Sequence, residues 1–280
     1  MADPGRDDTV WMDAAAWKDV SAWEGVRPGI GGPVPVAVGG DVAPGTLLAA
    51  YRLGVFCQPT QDAEQAWLNR EIYEPDVTSG AIPVLPGPNG ADPYEVLWWA
   101  PAQRALLPVD GFRLGRHGAK YHRRYPELTS TVDSAFDEVV ERCRKDREPV
   151  WLTDPLVAGL RKLHDAGAVH SLEIRRDGAL VAGLFGYALP RVFVVDSAFQ
   201  SEDQGLKALY LDLTLRSRAA GIEFIDLQID AEHKRRMGAR IFDREFYLGL
   251  LGDVRGTFAA EPRTLSQNLI EYLANEANAT

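Results

Sequence analysis

A hairpin signal in the second half of the chain places the firmest constraint on its fold. Residues 170 to 189, HSLEIRRDGALVAGLFGYAL, contain two runs of strand-forming residues joined by Asp177 and Gly178. An Asp-Gly pair favours a two-residue turn, because both central residues of that turn need a positive φ angle. RVFVVDSAF, residues 191 to 199, predicts a third strand. We therefore expect an antiparallel meander of three strands.

The segments around this meander predict an α+β fold. Apolar residues at helical spacing predict helices over residues 133 to 145, with Asp133 as N-cap, and over 153 to 167. After the meander, residues 206 to 221 predict a helix and residues 222 to 229 a further strand. This order resembles the N-acetyltransferase-like (GNAT) fold, a mixed sheet flanked by helices.

The strand after the last of these helices carries an unusual set of polar residues. In FIDLQID, residues 224 to 230, Ile225, Leu227 and Ile229 alternate with Asp226, Gln228 and Asp230. One interpretation is a half-exposed strand with a solvated face. The other is a pair, Asp226 and Gln228, that handles a proton, since this strand borders the cleft in the GNAT fold. The strand pattern alone leaves both open.

The first part of the chain predicts a smaller N-terminal α/β domain over residues 1–108, ahead of a GNAT-like catalytic domain over 109–280. A helix is expected within residues 43 to 56 and a buried strand in VLWWAP. Between them, residues 57–95 contain six prolines and seven acidic residues against the single Arg70. This composition predicts a long acidic, Pro-rich loop, either functional or a solvated insertion.

The overall charge argues against a protein that coats nucleic acid, because the formal net charge is −10. Residues 113 to 124, RLGRHGAKYHRR, nevertheless contain five Lys or Arg residues and no acid. Such a run is a solvated turn in many proteins, but it is also suited to a local polyanion site. The histidines and two cysteines show no metal-ligand spacing, so no metal is expected. With no leader or membrane-spanning stretch, we expect a cytoplasmic protein.

The segment before the long helix disfavours acetyl-CoA as the acyl donor. An acetyl-CoA enzyme of this fold has a glycine-rich loop there, whose N–H groups bind the pyrophosphate. Here the segment reads QSEDQGLKA, in which Glu202 and Asp203 would repel a pyrophosphate.

Several collinear stretches resemble the leucyl/phenylalanyl-tRNA–protein transferase family, which moves an aminoacyl group from a charged tRNA to an amine. They are LLAAYRLGVF, LWWAPAQRALLP, VWLTDPLVAGLRKLHDAGAVHSLEI and FIDLQIDAEHKRRMGA, and together they extend over roughly residues 43 to 250. Many matches in one order are far more specific than any single motif. The resemblance implies an enzyme with no cofactor, for which aminoacyl-tRNA is the co-substrate.

The resemblance also implies roles for particular residues. Asp226 and Gln228 would be the catalytic pair, in which the amide contacts the incoming amine and the carboxylate orients it and relays a proton. Trp151 would stack on the terminal adenosine of the tRNA, and Gln58 stands where the family has a second aromatic contact. The aminoacyl α-amino group would lie near Asp196. The walls of the amino-acid pocket would come from the meander strands, where the candidates are Phe185, Ala188 and Phe199; the alternative for these three is a place in the core. The tRNA phosphates would be bound by Arg113, Arg116, Lys120, Arg123, Arg124 and Lys207.

Departures from the family pattern lie where tRNA end and acceptor should meet. Cys57 and Gln58 replace Pro-Trp, and the acidic segment 57–95 intervenes before LWW. We therefore expect a specialised relative that transfers a Leu- or Phe-like residue to a small cationic amine, as in antibiotic biosynthesis. One alternative is transfer to proteins with N-terminal Arg or Lys. Two others are an acetyl-CoA N-acetyltransferase and a catalytically silent protein that binds the tRNA end.

Overall fold

The computed structural model describes residues 23, 24, 26, 34–145, 147–251 and 262–278. The helices in this part of the chain are α1 (Pro44–Arg52), α2 (Ala63–Thr78), α3 (Gly115–Arg124), α4 (Phe136–Arg144), α5 (Asp154–Asp165), α6 (Gly205–Ala219), α7 (Glu232–Arg236), α8 (Arg244–Leu250) and α9 (Leu265–Asn278). The strands are β1 (Ala37–Gly39), β2 (Phe56–Pro59), β3 (Val84–Leu85), β4 (Val96–Trp99), β5 (Gln103–Pro108), β6 (Thr129–Val132), β7 (Val169–Arg176), β8 (Ala179–Ala188), β9 (Val192–Gln200), β10 (Phe224–Asp226), β11 (Arg240–Asp243) and β12 (Arg263–Thr264).

The predicted meander forms the middle of the larger sheet. Strands β7, β8 and β9 pair antiparallel, and Asp177 and Gly178 turn the hairpin with φ angles of 49° and 81°. Helix α6 then crosses over so that β10 pairs parallel with β9. Among the described residues this sheet has the strand order β11-β5-β10-β9-β8-β7-β6-β12. The predicted α+β class and the GNAT-like order of elements are confirmed.

Helices cover both faces of the larger sheet. On one face, α4 packs against the meander through Val139 and Val140, and α5 joins it beside α1. On the other face, α6 packs against β8 and is itself covered by α3 and α9. Because α6 is enclosed in this way, even Asp212 and Arg216 are buried on it, joined by a 2.8 Å hydrogen bond. The sheet is therefore the middle layer of three.

A smaller sheet in the strand order β2-β4-β1-β3 lies in the first part of the described chain. Its centre is the fully buried Trp98, whose indole N–H donates to the carbonyl of Gly39 at 2.8 Å. Strand β5 already belongs to the larger sheet, so the two sheets separate between Trp99 and Gln103. The domain boundary after residue 108 would leave β5 with the N-terminal unit, and this division stays a prediction.

The expectation of a loop over residues 57–95 is wrong, because helix α2 occupies much of this segment. Asp62 caps the helix by accepting a hydrogen bond from the N–H of Glu64 at 2.9 Å. The inner face packs through Ala66, Asn69, Tyr73 and Val77. The sequence hid this helix for two reasons. Pro75 suggests a helix breaker but lies in the last turn, and apolar residues occur on both faces, which removes the helical periodicity.

The prediction that Asp133 caps α4 is also wrong. The residue at the N-cap position is Ala135, which makes no side-chain cap. Asp133 instead has a φ angle of 55°, and its carboxylate accepts a hydrogen bond from the N–H of Ser171 at 2.9 Å and lies 2.7 Å from the His170 ring. The left-handed backbone turns this carboxylate away from the helix and toward β7.

No helix of the described ranges has the length and apolar character that crossing a membrane requires.

Candidate active site

A buried ion pair lies at the end of β10. The carboxylate of Asp226 is fully buried and accepts a hydrogen bond from the guanidinium of Arg104, on β5, at 2.8 Å. Arg104 also donates to the carbonyl of Gly54 at 2.5 Å, and its guanidinium lies 4.5 Å from the ring centre of Tyr247. A buried charge is costly unless it is paired and hydrogen-bonded, and here both charges are. This pair therefore fixes the position of Asp226.

Gln228 follows the strand and does not belong to it. Its φ angle is 61°, so the predicted strand over residues 222 to 229 is wrong beyond Asp226. The backbone N–H of Gln228 donates to the Asp226 carboxylate at 2.6 Å. The chain nevertheless continues along β5, because the N–H of Leu227 donates to the carbonyl of Ala105 and the N–H of Ala105 donates to the carbonyl of Gln228. A non-glycine residue adopts this left-handed conformation only when its surroundings impose it.

The left-handed conformation directs the Gln228 amide at a second carboxylate. Its Nε2 donates to Asp196 at 3.2 Å and to the carbonyl of Val195 at 3.3 Å. The hydroxyl of Tyr51, on α1, donates to the same Asp196 oxygen, and the Tyr51 ring stacks on Tyr187 with 3.6 Å between ring centres. Asp226 and Gln228 are thus brought together as predicted, and Asp196 lies in the same network.

The pKa of Asp196 is raised to about 6. Burial is the largest cause, because it disfavours the charged form, and the nearby Asp226 carboxylate adds to the rise. Hydrogen bonds from Tyr51 and Gln228 act in the opposite direction. A carboxyl with this pKa can accept a proton near neutral pH and release it again.

Five residues form one continuous hydrogen-bonded network, which we call the polar chain. It consists of Arg104, Asp226, Gln228, Asp196 and Tyr51. Sequence reasoning did not identify Arg104 or Tyr51 as site residues. The signal for Arg104 was present, because an arginine in the strand QRALLP requires a buried partner once that strand is in the core.

A cleft of about 740 Å³ contains Trp151 and Gln58, which were predicted to meet at the tRNA end. Trp151 is half-buried against the core, and Gln58 is exposed on β2. Helix α2 supplies Gln65 and Asn69 to the same cleft. Asn69 is fixed there by donating to the carbonyl of Tyr94 at 2.9 Å. We call this the Trp151 cleft.

The structure does not bring the other three aminoacyl-binding candidates into one pocket. Phe185 is fully buried, with its ring centre 6.2 Å from that of Phe136. Phe199 packs against the same core, and its ring lies 4.9 Å from the guanidinium of Arg142. Ala188 packs on the opposite face of the sheet. Phe185 and Ala188 therefore face different helix layers.

The basic residues predicted to bind phosphate collect around α3. Arg113, Arg116, Lys120, Arg123 and Arg124 are exposed, and Lys207 on α6 is half-buried beside them. Lys120 and Arg124 border a cleft of about 600 Å³, which the β7–β8 hairpin borders through Arg176. Arg176 pairs with Glu202 at 2.6 Å and so offsets an acid expected to repel phosphate.

No group of three His, Cys, Asp or Glu residues within the described ranges could hold a metal ion. Both cysteines are free and buried, and burial raises the pKa of each thiol. Neither thiol is therefore suited to act as a nucleophile.

The order of elements gives the class of fold, α+β and GNAT-like, and the sequence comparisons give the class of enzyme. A family model described as "Leucyl/phenylalanyl-tRNA protein transferase" matches residues 106–252. The chain belongs to the leucyl/phenylalanyl-tRNA–protein transferase family and is an aminoacyltransferase.

Two relatives carry the name leucyl/phenylalanyl-tRNA–protein transferase at substantial coverage. The protein from Hydrogenovibrio crunogenus is 30% identical over 82% of this chain and 79% of its own length. The protein from Klebsiella pneumoniae (strain 342) is 32% identical over 79% of this chain and 81% of its own. Among solved structures, a GCN5-related N-acetyltransferase from Kribbella flavida is 16% identical over 49% of this chain and 54% of its own, with a TM-score of 0.31.

Proposed function

We propose that this protein transfers a leucyl or phenylalanyl residue from a charged tRNA to the N-terminal amine of a protein. The observation that carries the proposal is the hydrogen-bonded pair Gln228–Asp196, which lies beside β10 in a chain whose relatives are named for this reaction. Those names favour a protein amine over the small cationic amine expected from the acidic segment. Because charged tRNA is a cytoplasmic substrate, the cytoplasm is the compartment in which this reaction would occur.

The reaction requires little covalent chemistry from the protein. The amine attacks the carbonyl carbon of the aminoacyl ester, the bond to the ribose oxygen breaks, and a proton moves from the amine to that oxygen. Since the ester is already activated, positioning and proton transfer are sufficient, and no nucleophilic side chain is needed.

In this mechanism, Gln228 positions the incoming amine through its amide oxygen. Its amide nitrogen already donates to Asp196 and to the carbonyl of Val195, which leaves the oxygen as the acceptor for an amine N–H. Asp226 restrains the backbone of Gln228 and so sets the direction of this oxygen.

Asp196 is the better proton acceptor of the two carboxylates. Asp226 is fully buried and engaged by Arg104, so protonating it would break a buried ion pair. The pKa of Asp196, raised to about 6, suits a general base. We therefore assign the proton relay to Asp196 and a positioning role to Asp226.

Trp151 stacks on the terminal adenosine of the tRNA within the Trp151 cleft, with Gln58 beside it. The exposed cations of α3 contact phosphates further along the tRNA. Both assignments agree with the exposure of these residues and with the charge of the ligand each would bind.

The test is transfer from a pool of charged tRNAs to two acceptors, a peptide with N-terminal Arg and a small guanidine-bearing amine, followed by mass spectrometry. We expect leucyl or phenylalanyl addition to the peptide. Faster modification of the small amine would instead support the hypothesis of a specialised relative that acts on a small cationic acceptor. A parallel assay replaces the charged tRNAs by acetyl-CoA. Product formed only in that assay would overturn the proposal.

A further inference from the structure

Helix α2 has two faces with different properties. Its inner face packs through Tyr73 and Val77 against the small sheet, and Gln65 and Asn69 border the Trp151 cleft. Its outer face presents three large apolar side chains to solvent. Trp67 is 56% exposed, Leu68 is 40% exposed and Ile72 is 60% exposed.

These apolar residues and the two glutamates beside them, Glu64 and Glu71, form one exposed patch on α2. Leu68 and Ile72 are one turn apart on the helix, so their side chains are neighbours. Gln65, at the border of the cleft, is one turn before Leu68. The patch therefore begins where the cleft ends. Grouped exposed apolar residues mark interaction sites more often than scattered ones, and Trp is the residue most enriched at the energetic centres of interfaces.

Two carboxylates also lie within the patch. Glu64 is one turn from Leu68, and Glu71 is one turn from Trp67. Among the described residues, neither glutamate has a cationic partner within salt-bridge distance. The one arginine of the helix, Arg70, is engaged by Asp92 at 2.9 Å and Glu74 at 3.9 Å. The outer face of α2 is thus apolar and negatively charged.

We infer that this face binds the acceptor protein, specifically the segment that follows its N-terminal residue, through apolar and cationic side chains of that segment. The inference rests on the proposed function and adds a docking surface to it. Two observations on the molecule support this occupant. The carboxylates repel phosphate and so disfavour the tRNA, and Gln65 joins the patch to the Trp151 cleft, where the terminal adenosine that bears the aminoacyl ester would lie.

The division of charge across the molecule supports the same occupant. The cations suited to tRNA are on α3, which packs with α6 and α9 on the larger sheet. Helix α2 packs on the smaller sheet and is acidic. A tRNA bound along α3 leaves α2 free for the second substrate. An acceptor held at two places would also gain effective concentration at the reacting carbonyl.

The experiment compares two acceptors that share an N-terminal Arg. One is an arginyl dipeptide amide, and the other continues for about ten residues in which Leu and Lys alternate, long enough to follow three turns of a helix. The enzyme variants are Leu68→Ser with Ile72→Ser, and Glu64→Gln with Glu71→Gln. Ile270→Ser with Leu273→Ser on α9 is the matched control, because these residues are also exposed, by 67% and 48%.

We expect both α2 variants to raise KM for the long acceptor about ten-fold, while kcat and the KM for the dipeptide change less than about two-fold. Added salt should abolish the effect of the glutamine variant only, because salt screens charge. The control should behave as wild type.

Equal KM for both acceptors in the wild type would overturn the inference, as would an unchanged long-acceptor KM in the α2 variants. A wild-type dimer that the Leu68→Ser/Ile72→Ser variant dissolves would instead assign the face to self-association. Transfer to the dipeptide reports the proposed function separately. If the wild type modifies neither peptide, the proposed function and the docking surface both fall.

Discussion

The polar chain, on β5, β9, β10 and α1, and the Trp151 cleft, between β2, β4 and α2, are built in opposite ways. In the polar chain, Asp226 and Arg104 are buried, and successive members are joined by hydrogen bonds. In the cleft, Gln58 and Arg147 are exposed and Trp151 is half-buried. A network fixed before substrate arrives suits chemistry, and an open surface suits binding. Changes in the first should therefore lower kcat, and changes in the second should raise KM.

The largest effect is expected at Gln228. Gln228→Gly removes the amide but keeps a residue that accepts a φ angle of 61°. We expect kcat to fall by about two to four orders of magnitude with little change in KM for charged tRNA, and the free energy of unfolding should not decrease. Steady-state kinetics and denaturant unfolding measure the two quantities. A near wild-type kcat would remove Gln228 from the chemistry.

The next effect tests whether the polar chain is held by its buried ion pair. Arg104→Met leaves the Asp226 carboxylate buried without its partner and should lower the free energy of unfolding by about 3–5 kcal/mol. The control is Arg161→Met, because Arg161 pairs with Asp137 at the surface at 2.7 Å, and its loss should cost less than about 1 kcal/mol. Equal losses in urea unfolding would show that the buried pair contributes no more than the exposed one.

The pH dependence distinguishes Asp196 from the rest of the polar chain. If Asp196 accepts the proton, kcat/KM should rise about ten-fold per pH unit below about 6 and level off above it. Asp196→Asn should lower the constant value of kcat/KM above pH 6 and remove its rise with pH below 6. A rise that persists in the variant would assign the titration to another group.

The Asp196 carboxyl should make the folded protein less stable as the pH rises, whereas it makes the enzyme more active. Its pKa in the folded state, about 6, is above its ordinary value of 3.8, so the folded state binds more protons between these values. This difference adds on the order of 2–3 kcal/mol to the free energy of unfolding below about pH 4, and the contribution is lost as the pH rises through 6. Urea unfolding at pH 4.5 and 7 measures it against the Asp196→Asn variant.

On the binding side of the contrast, Trp151→Ala should raise KM for charged tRNA roughly 5- to 100-fold, since stacking of a base on an aromatic ring contributes about 1–3 kcal/mol. The kcat should change only slightly. Trp151→Phe, which keeps an aromatic face, is the control and should recover most of the affinity. A fall in kcat without a change in KM would place Trp151 with the polar chain.

The smallest effect concerns α3. Arg123→Ala with Arg124→Ala should weaken tRNA binding several-fold and make the slope of log affinity against log salt less negative by roughly one per lost phosphate contact. The control is Arg235→Ala with Arg236→Ala on α7, since these arginines are paired with Asp230 and Glu232. An identical slope in the two variants would place the phosphate contacts elsewhere.

The sequence predicted the central strands of the larger sheet, β7 to β10, because their signals were local, whereas β5, β6, β11 and β12 were not predicted. The Asp177-Gly178 turn and the apolar spacing of α4, α5 and α6 depend only on near neighbours. Helix α2 was not predicted, because its inner face packs against Ile82 and Leu97, and no local sequence pattern indicates this contact. The left-handed conformation of Gln228 was not predicted for a similar reason. It depends on the Asp226 carboxylate, whose position depends on Arg104 far away in the chain.

For the site, the family resemblance supplied the candidates but not their arrangement. It brought Asp226, Gln228 and Asp196 forward together, and they lie in one network. It grouped Phe185 with Ala188, although residues three apart on one strand lie on opposite faces of the sheet. A register shift beside them leaves Asp196 of β9 outside the pairing, between Ser197, which pairs with Phe185, and Val195, which pairs with Gly186. A β-bulge of this kind changes which side chains share a face without leaving a trace in composition.

The three residues of β10 pair with β5 on one side and with β9 on the other, strands that are synthesised far apart in time. The hairpin of β7 and β8 can form as soon as β8 has left the ribosome. Asp226 can pair with Arg104 only later, after α6 has been synthesised and has crossed over the sheet. A chain that stops after β9 could fold its meander and still lack a competent carboxylate. Aminoacyl transfer would then require that synthesis has passed residue 228.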